Sequence, residues 1–310
     1  MKWYNREPEN SLGVIVYLTT VGQLSQLNVS LLSLRQYLFK PRPVVVFHEG
    51  DFNDVNVQLA LANTLGSNAP LAFEHIRFPT KVNIIRTRKE YHIGYSHMCN
   101  FFGIMLPYHP LISNLFIFYL RLDYHSYLLG PALTYDLFDY MQTNRLQYSF
   151  LMVHMDHRVY VKGLWKLFHK FLTHSCMVPS PAVKKTQTNS FTGWYTYAII
   201  FNNFELCNGS LWREPRMEAW LRQVDESKGI YKYRWGDAPI RTLAVTQFLE
   251  KNQVVKLCDI GYSHRHQYTC ASHIHPCPVP PHLKGSLNSF YPQGCYPNDN
   301  PLCKYYQENT

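Results

Sequence analysis

Short apolar runs alternate along the first part of the chain with longer segments in which apolar residues recur every three or four positions. The runs at 13–20 (GVIVYLTT) and 43–49 (PVVVFHE) predict strands buried on both faces, because their apolar residues are continuous instead of alternating. Each run is followed by a helical pattern, at 24–38 and at 54–65. Strand, helix, strand, helix in this order predicts a parallel sheet with crossover helices.

The same alternation continues to about residue 250 and extends the predicted sheet. Further strands are predicted at 72–78, 117–122, 148–154 and 195–201, and further helices at 96–106, 163–174, 211–224 and 238–250. From about residue 260 onward, His, Cys, Pro, Tyr and Asn dominate the composition. We therefore expect an α/β fold covered by an irregular, Cys- and Pro-rich C-terminal tail.

Composition and charge limit the class of protein. With 310 residues and 46% apolar content, the chain is long enough to bury the core of one large α/β domain or two closely joined ones. Lys and Arg outnumber Asp and Glu by 30 to 21, for a formal charge of +9. Such a balance is typical of proteins that bind nucleic acid, an anionic membrane or a phosphorylated substrate. Since the basic residues form no long run, scattered cations that converge on one phosphate pocket are favoured over nucleic-acid binding.

The sequence predicts neither a membrane span nor a secretion signal. No stretch approaches the roughly 18 to 20 apolar residues that cross a bilayer, and the N-terminal MKWYNREPEN lacks the apolar segment of a signal peptide. We expect a soluble chain that associates with a membrane only through an anchor absent from it.

The cysteines and two sequons favour the lumen of the secretory pathway. Disulfides are the expected staple of a Pro-rich tail that is too short for its own core, and four of the eight cysteines lie there: Cys270, Cys277, Cys295 and Cys303. Glycosylation acceptor sequences at Asn28 and Asn208 are compatible with the same compartment. A cytosolic location would instead favour a zinc site built from residues of this region: His264, His266, Cys270, His273, His275 and Cys277.

The stretch IFYLRLDYHSYL, residues 117–128, carries the first candidate chemistry. A predicted buried strand contains Arg121 and runs directly into Asp123, Tyr124 and His125. In open α/β sheets ligands bind at the carboxyl ends of the strands, where a carboxylate is well placed to hold a metal ion against the phosphates of a nucleotide. The acidic sequence HEGDF at the end of the second strand also resembles a metal-binding motif, but we interpret it as a solvated loop.

Five segments in order give the chain a family resemblance. GYSHMCNFF, YLRLDYHSYL, NNFELCN, KYRWGDAPI and DIGYSH together resemble the fungal-type α-1,2-mannosyltransferases of glycosyltransferase family fifteen, the glycolipid 2-α-mannosyltransferase family, over about residues 85–265. The resemblance implies a GT-A fold, with a Rossmann-like sheet flanked by helices, and retaining transfer of mannose from GDP-mannose to a mannose-terminated glycan.

The resemblance also implies roles for particular residues. Asp123 and His264 match the family's ligands to Mn²⁺, an ion that accepts carboxylate and imidazole together. Glu205, which follows the predicted strand 195–201, matches the proposed nucleophile or stabiliser of the anomeric carbon. Tyr95 and Asp237 match residues near the reacting centre, although a carboxylate at 237 also suits the cap of the helix that follows it.

Arginines near these segments add candidate phosphate contacts. Arg121, Arg86 and Arg88 are expected to make charge-assisted hydrogen bonds to the diphosphate. The family usually has Glu-Pro followed by Asp or Asn where this chain has Asp123, Tyr124 and His125. The shorter Asp123 side chain draws the metal closer to the backbone and makes His125 a possible extra ligand, while differences at HMDHRVY (154–160) leave the acceptor open.

These expectations define the domains and the rival functions. We expect a catalytic domain over 1–262, with a nucleotide-sugar half (about 1–130) and an acceptor half (about 131–262), and a disulfide-stapled segment over 263–310. The implied compartment is the Golgi lumen. The rivals are a catalytically silent mannoside-binding, lectin-like relative, a transferase that uses another nucleotide sugar, and a basic nucleic-acid binder.

Overall fold

A mixed eight-stranded sheet forms the centre of the molecule. The computed structural model describes residues 2–8, 11–79, 92–274, 289–290 and 300–307. The strands are β1 (Trp3–Tyr4), β2 (Gly13–Leu18), β3 (Val44–His48), β4 (Leu71–His75), β5 (Phe118–Leu122), β6 (Ser126–Leu129), β7 (Tyr148–Phe150), β8 (Val153–Met155), β9 (Ala198–Ile200), β10 (Phe204–Asn208), β11 (Val254–Lys256), β12 (Gly261–His264), β13 (Gln267–Thr269) and β14 (Ser289–Phe290).

The helices of the described residues lie between these strands along the chain, except α11, which follows β14. They are α1 (Leu24–Tyr37), α2 (Val55–Leu65), α3 (Ile93–Asn100), α4 (Pro110–Leu115), α5 (Leu137–Thr143), α6 (Leu164–His174), α7 (Pro181–Thr186), α8 (Pro215–Ser227), α9 (Gly229–Tyr233), α10 (Asp237–Phe248) and α11 (Pro301–Gln307). Within this part of the chain, no helix combines the length and the apolar character that a bilayer span requires.

The strand order of the central sheet is β1-β4-β3-β2-β5-β10-β7-β11. Strands β4, β3, β2 and β5 are mutually parallel, which confirms the parallel sheet with crossover helices predicted from the first half of the chain. Strand β10 runs antiparallel to both of its neighbours, β5 and β7. The sheet is therefore continuous through both predicted halves of the domain, and their boundary stays a prediction.

Both faces of the central sheet are buried, as continuous apolar strands require. On one face Ile15 and Tyr17 of β2 pack with side chains of α1, α2 and α5. On the other face Val14 and Val16 pack with side chains of α3, α6, α8 and α10. Successive residues of β2 thus contribute to two different cores.

A smaller sheet, ordered β14-β13-β12-β6, lies beside the carboxyl end of β5. Strand β6 begins only four residues after β5 ends, and β12 pairs with it antiparallel so that His264 stands opposite Ser126. This pairing brings a residue from late in the chain next to the turn that contains Asp123.

The structure differs from the predicted elements at several positions. The predicted strand 148–154 is divided into β7 and β8, and the predicted strand 195–201 is ordered as a strand only at Ala198–Ile200. Strand β10 was not predicted, because Glu205 and Asn208 interrupt its apolar pattern. Glu205 therefore lies within a strand of the central sheet instead of after one.

The described residues of the tail are more regular than their composition predicts. Strand β13 extends the smaller sheet, and α11 packs against α7, β9 and β11. Cys270 and Cys303 are both disulfide-bonded. A zinc site that uses the Cys270 thiolate is therefore wrong, and His275, Cys277 and Cys295 lie outside the described residues.

We expect Gly13→Ala to destabilise the fold. A Cβ at this position of β2 would lie within 2.7 Å of Phe138 Cγ in α5, inside van der Waals contact. Overpacking of this kind costs about 1–3 kcal/mol, measurable as the free energy of unfolding in urea. Gly22→Ala is the matched control, because its Cβ would meet no atom nearer than 3.8 Å. Equal stability of the two variants would contradict the packing argument.

Candidate active site

A cavity of about 660 Å³ opens at the carboxyl ends of β2 and β5. Its wall includes the loop after β2, the amino end of α10 and the turn between β12 and β13. The structure brings five of the predicted site residues to this wall: Tyr95, Arg121, Asp123, Asp237 and His264. The cavity occupies the position at which open α/β sheets bind their ligands.

Arg121 is a buried cation between two carboxylates. Its side chain is 2% exposed, and its Nη1 donates to Asp237 Oδ2 while its Nη2 lies 3.2 Å from Asp123 Oδ1. The guanidinium also lies over the ring of Phe102, 3.9 Å from the centroid. Burial opposes the charge, but the two carboxylates raise the pKa of Arg121 above its ordinary value, so the cation is kept. Its terminal nitrogens hold the carboxylates in place instead of pointing freely into the cavity.

Asp123 and His264 meet at the cavity wall through Asn203. The amide nitrogen of Asn203 donates to Asp123 Oδ2 at 2.5 Å and lies 3.1 Å from His264 Nε2. His264 Nε2 and Asp123 Oδ2 are 4.0 Å apart. Burial alone would raise the pKa of Asp123, but the Arg121 cation and the hydrogen bond from Asn203 hold it below its ordinary value, so the carboxylate is ionised near neutral pH.

His264 is neutral in this environment. Burial lowers the pKa of its imidazole to about 4, so at neutral pH Nε2 keeps a lone pair that accepts from the Asn203 amide here and would bind a metal ion once that amide is displaced. Its Nδ1 is buried and has no hydrogen-bond partner among the described residues. A carboxylate and a neutral imidazole facing one spot are a donor set that suits Mn²⁺. No group of three His, Cys, Asp or Glu side chains forms a closed metal cage in the described residues, so substrate or water oxygens would have to complete the coordination.

Asp237 begins α10 and is also held by hydrogen bonds. Its Oδ2 accepts a hydrogen bond from Asn202 Nδ2 at 2.7 Å in addition to the one from Arg121. The side chain is almost completely buried, yet it forms part of the cavity wall. Asp237 therefore does more than cap α10, because its carboxylate is hydrogen-bonded to Arg121 and Asn202 at the centre of the site.

Tyr95 of α3 also lines the cavity. The guanidinium of Arg234 stacks on its ring at 3.9 Å from the centroid. The neighbouring Cys99 and burial raise the pKa of the Tyr95 hydroxyl well above its ordinary value, so it remains a hydrogen-bond donor at neutral pH. Tyr95 can thus donate to a sugar hydroxyl or to a phosphate oxygen.

Glu205 is not brought to the cavity wall. It is fully buried in β10, opposite Arg121 on β5, and its Oε1 lies 3.4 Å from Arg241 Nη1. Burial raises the pKa of its carboxyl group, while Arg241 and Arg121 oppose that shift. In this conformation Glu205 cannot contact a sugar bound in the cavity, and its role in the reaction stays a prediction.

The remaining candidate residues either lie outside the described part of the chain or differ in whether they line the cavity. Arg86 and Arg88 lie outside the described residues. His125 does not line the cavity and stacks on Tyr124 instead, so the structure does not bring this hypothetical extra ligand to the site. Of the HEGDF sequence, Glu49 reaches the cavity wall, whereas Asp51 accepts a hydrogen bond from the Val21 amide.

Sequence reasoning missed several residues of the wall. Asn202 and Asn203 position both carboxylates, and they begin the NNFELCN segment that contains Glu205, where two adjacent amides were the available signal. Asp156, Arg234 and Arg265 also line the cavity. No spacing or periodicity distinguishes these three from ordinary surface charges.

Two curated fungal proteins are similar to most of the chain. The alpha-1,2 mannosyltransferase KTR1 of Saccharomyces cerevisiae is 26% identical over 241 residues, 73% of this chain and 61% of that protein. The glycolipid 2-alpha-mannosyltransferase 2 of Candida albicans is 27% identical over 254 residues, 76% of this chain and 51% of that protein. The chain thus spans between half and about three fifths of the length of these relatives.

Two solved structures share the fold. Core-mannan synthase A (CmsA/Ktr4) of Aspergillus fumigatus, in its Mn/GDP form, superposes with a TM-score of 0.76 at 20% identity, covering 84% of this chain and 76% of that chain. The mannosyltransferase Ktr4p of S. cerevisiae in complex with GDP gives 0.75 at 23% identity, covering 87% and 76%. These likenesses confirm the predicted GT-A type of α/β fold.

The model of the glycolipid 2-alpha-mannosyltransferase family matches residues 79–275, a range that contains all five segments of the sequence resemblance. The match extends over more than half of the chain, and this protein therefore belongs to the glycolipid 2-alpha-mannosyltransferase family.

Proposed function

We propose that this chain transfers mannose from GDP-mannose to the 2-hydroxyl of a mannoside, with retention of anomeric configuration and with Mn²⁺ at the diphosphate. The observation that carries the proposal is the meeting of Asp123 and His264 at the carboxyl end of β5. Family membership supports the reaction, and the Mn/GDP form of CmsA and the GDP complex of Ktr4p support the nucleotide and the metal.

In this proposal the donor lies across the carboxyl ends of β2 and β5. The nucleoside lies against the loop after β2, where Thr19, Thr20 and Gln23 offer hydrogen-bonding side chains. Asp123 and His264 hold the ion, which when bound neutralises the charge that develops on the leaving diphosphate. Arg265 follows His264 directly and lines the cavity, so its guanidinium adds a second positive charge near the phosphates.

The sugar lies between Tyr95 and Asp237 in this arrangement. Tyr95 donates a hydrogen bond, and the ionic group of Asp237, Asn202 and Arg121 keeps a carboxylate next to the carbon that becomes positively charged. Such fixed charges stabilise a transition state without reorganisation during the reaction. Glu205 acts from beneath the wall as an electrostatic stabiliser, since β10 holds it behind Arg121.

The acceptor is a mannose-terminated glycan of a glycoprotein or glycolipid, and the compartment is the lumen of the Golgi. The disulfides at Cys270 and Cys303 support an oxidising compartment. Asp156 and His154 line the cavity, and the acceptor hydroxyl enters beside them in this proposal. Nucleic acid is not part of the proposal.

The direct test is mannose transfer. With GDP-mannose, Mn²⁺ and methyl α-mannoside, we expect an α-1,2-linked disaccharide, identified by NMR of the purified product. UDP-glucose, UDP-galactose and GDP-fucose serve as donor controls. Binding of methyl α-mannoside without turnover would favour the lectin-like alternative. Turnover with another donor would favour a transferase that uses a different nucleotide sugar.

The metal ligands are tested by donor binding. Asp123→Ala and His264→Ala are each expected to weaken Mn²⁺-dependent GDP binding by at least about tenfold, measured by calorimetry with and without the ion. His266→Ala is the matched control, because His266 lines the same cavity but is exposed. Full Mn²⁺ dependence in Asp123→Ala would overturn its assignment as a ligand.

The buried pair of Glu205 and Arg241 generates a stability prediction. Arg241→Met alone leaves the Glu205 carboxylate without its nearest cation, at a cost of about 3–5 kcal/mol in the free energy of unfolding. Adding Glu205→Gln should recover much of that loss, as measured by a double-mutant cycle in urea. Additive losses in the double variant would show that the two side chains are not coupled.

Glu205→Gln also separates catalysis from folding. At temperatures well below its unfolding midpoint, we expect this variant to bind GDP and Mn²⁺ like the parent protein but to turn over at least about tenfold more slowly, because the buried negative charge is lost. Steady-state kinetics and GDP calorimetry measure the two effects. Near-normal turnover would assign Glu205 a structural role alone.

A further inference from the structure

A second open space lies beside the catalytic cavity and is walled by aromatic rings. We call it the aromatic groove; its volume is about 740 Å³. Five aromatic side chains line it: Trp165, Trp194, Tyr195, Tyr197 and Tyr233. Arg158 adds a charged guanidinium to the same wall. Apolar ring faces combined with a few polar groups are typical of small-molecule and carbohydrate sites.

The aromatic wall is ordered by its own contacts. Trp165 and Tyr195 stack with their centroids 4.8 Å apart and an interplanar angle of 10°, and Tyr197 lies 4.9 Å beyond Tyr195. The guanidinium of Arg158 lies 5.9 Å from the centroid of the Tyr197 ring. Rings held in this way lose little additional conformational freedom when a ligand binds.

Trp194 is presented by a closed loop. The Asn189 amide donates to the Trp194 carbonyl at 2.8 Å, and the Gly193 amide donates to the Asn189 carbonyl at 2.9 Å. The side chain of Asn189 accepts hydrogen bonds from the amides of Phe191 and Thr192. This loop holds the indole 70% exposed at the edge of the groove, where it contributes little to the buried core.

The groove and the catalytic cavity share a wall. Arg234, which lines the cavity, is stacked between Tyr95 at 3.9 Å and Tyr160 at 4.1 Å. Tyr160 belongs to the helical turn Arg158–Val161, which forms one side of the groove. The Asp156 amide of the cavity wall donates to the Tyr197 carbonyl at 2.8 Å.

The backbone at this shared wall is strained. Tyr197 and Arg234 have φ values of 63° and 65°, a left-handed conformation that is unfavourable for residues with a side chain. Strain of this kind persists where the surroundings fix it, and it concentrates at functional sites. Tyr197 lines the groove and Arg234 lines the cavity. The shapes of both spaces therefore depend on this strained backbone.

We propose that the aromatic groove binds the outer pyranose units of a glycan acceptor whose terminal mannose enters the catalytic cavity. The inference rests on the proposed function for the identity of the sugar. The ring faces of Trp194 and Tyr197 pack against the C–H faces of pyranoses, and Arg158 donates hydrogen bonds to their hydroxyls. The two spaces lie on either side of Arg234 and Tyr160, and the proposal places a single extended oligosaccharide across that boundary.

The test compares a long acceptor with a short one in Trp194→Ala. Its matched control is Phe191→Ala, in the same loop and 98% exposed, since Phe191 lines neither space. Two measurements are made on each variant: the KM values for α-1,2-mannotetraose and methyl α-mannoside, and the binding of mannotetraose without donor by calorimetry. The binding measurement remains informative even if transfer from GDP-mannose fails.

We expect Trp194→Ala to raise the Kd and the KM for mannotetraose about three- to tenfold, as the loss of one stacked ring predicts, with the KM for methyl α-mannoside unchanged. Phe191→Ala should leave all values unchanged. An unaltered affinity for mannotetraose in Trp194→Ala would overturn the proposal, as would equal losses for both acceptors. Reduced binding of both variants to phosphatidylserine vesicles, with mannotetraose binding intact, would assign the loop to a membrane surface instead.

Discussion

The buried guanidinium of Arg121 and its two carboxylates hold the site together. An unpaired charge at this depth would be strongly unfavourable, so Asp123 and Asp237 are required partners for the folded chain as well as for any ligand. One of them follows a strand of the central sheet and the other begins a helix from late in the chain. Their shared cation therefore fixes the distance between two walls of the cavity, and the amides of Asn202 and Asn203 complete the arrangement.

The second constraint is the pairing of β12 with β6. Because β6 begins just beyond the turn that contains Asp123, the hydrogen bonds of a small sheet bring His264 to the same place. The metal-binding pair of the proposal thus comes from two sheets, each with its own packing. Burial keeps the His264 imidazole neutral and Arg121 keeps Asp123 ionised, which are the protonation states that metal coordination requires.

The sequence alone predicted the parallel part of the sheet, because the apolar runs of β2 and β3 are continuous and the helices after them keep a clear period. It also indicated Asp123, as a carboxylate at the end of a predicted strand, whereas His264 was found only through a segment that resembles a family, since nothing local connects residues 141 positions apart. Periodicity could not find β10, because Glu205 and Asn208 break its apolar pattern: Glu205 stands opposite Arg121 of β5, and Asn208 accepts a hydrogen bond from the Ser210 amide. The roles of Asn202, Asp156 and Arg234 also depend on distances that no sequence pattern encodes.

The buried charges of Arg121 and Glu205 also help to fix the register between β5 and β10. Tyr119 and Arg121 of β5 and Glu205 and Cys207 of β10 face one side of the sheet, while Leu120, Leu122, Phe204 and Leu206 face the other. A slip of either strand by one residue would turn an ionised side chain into a layer of Leu and Phe, at a cost of several kcal/mol. The charged groups beneath the cavity thereby also disfavour misaligned pairings of β5 and β10. Substitutions that make this layer wholly apolar would weaken the preference for the native register.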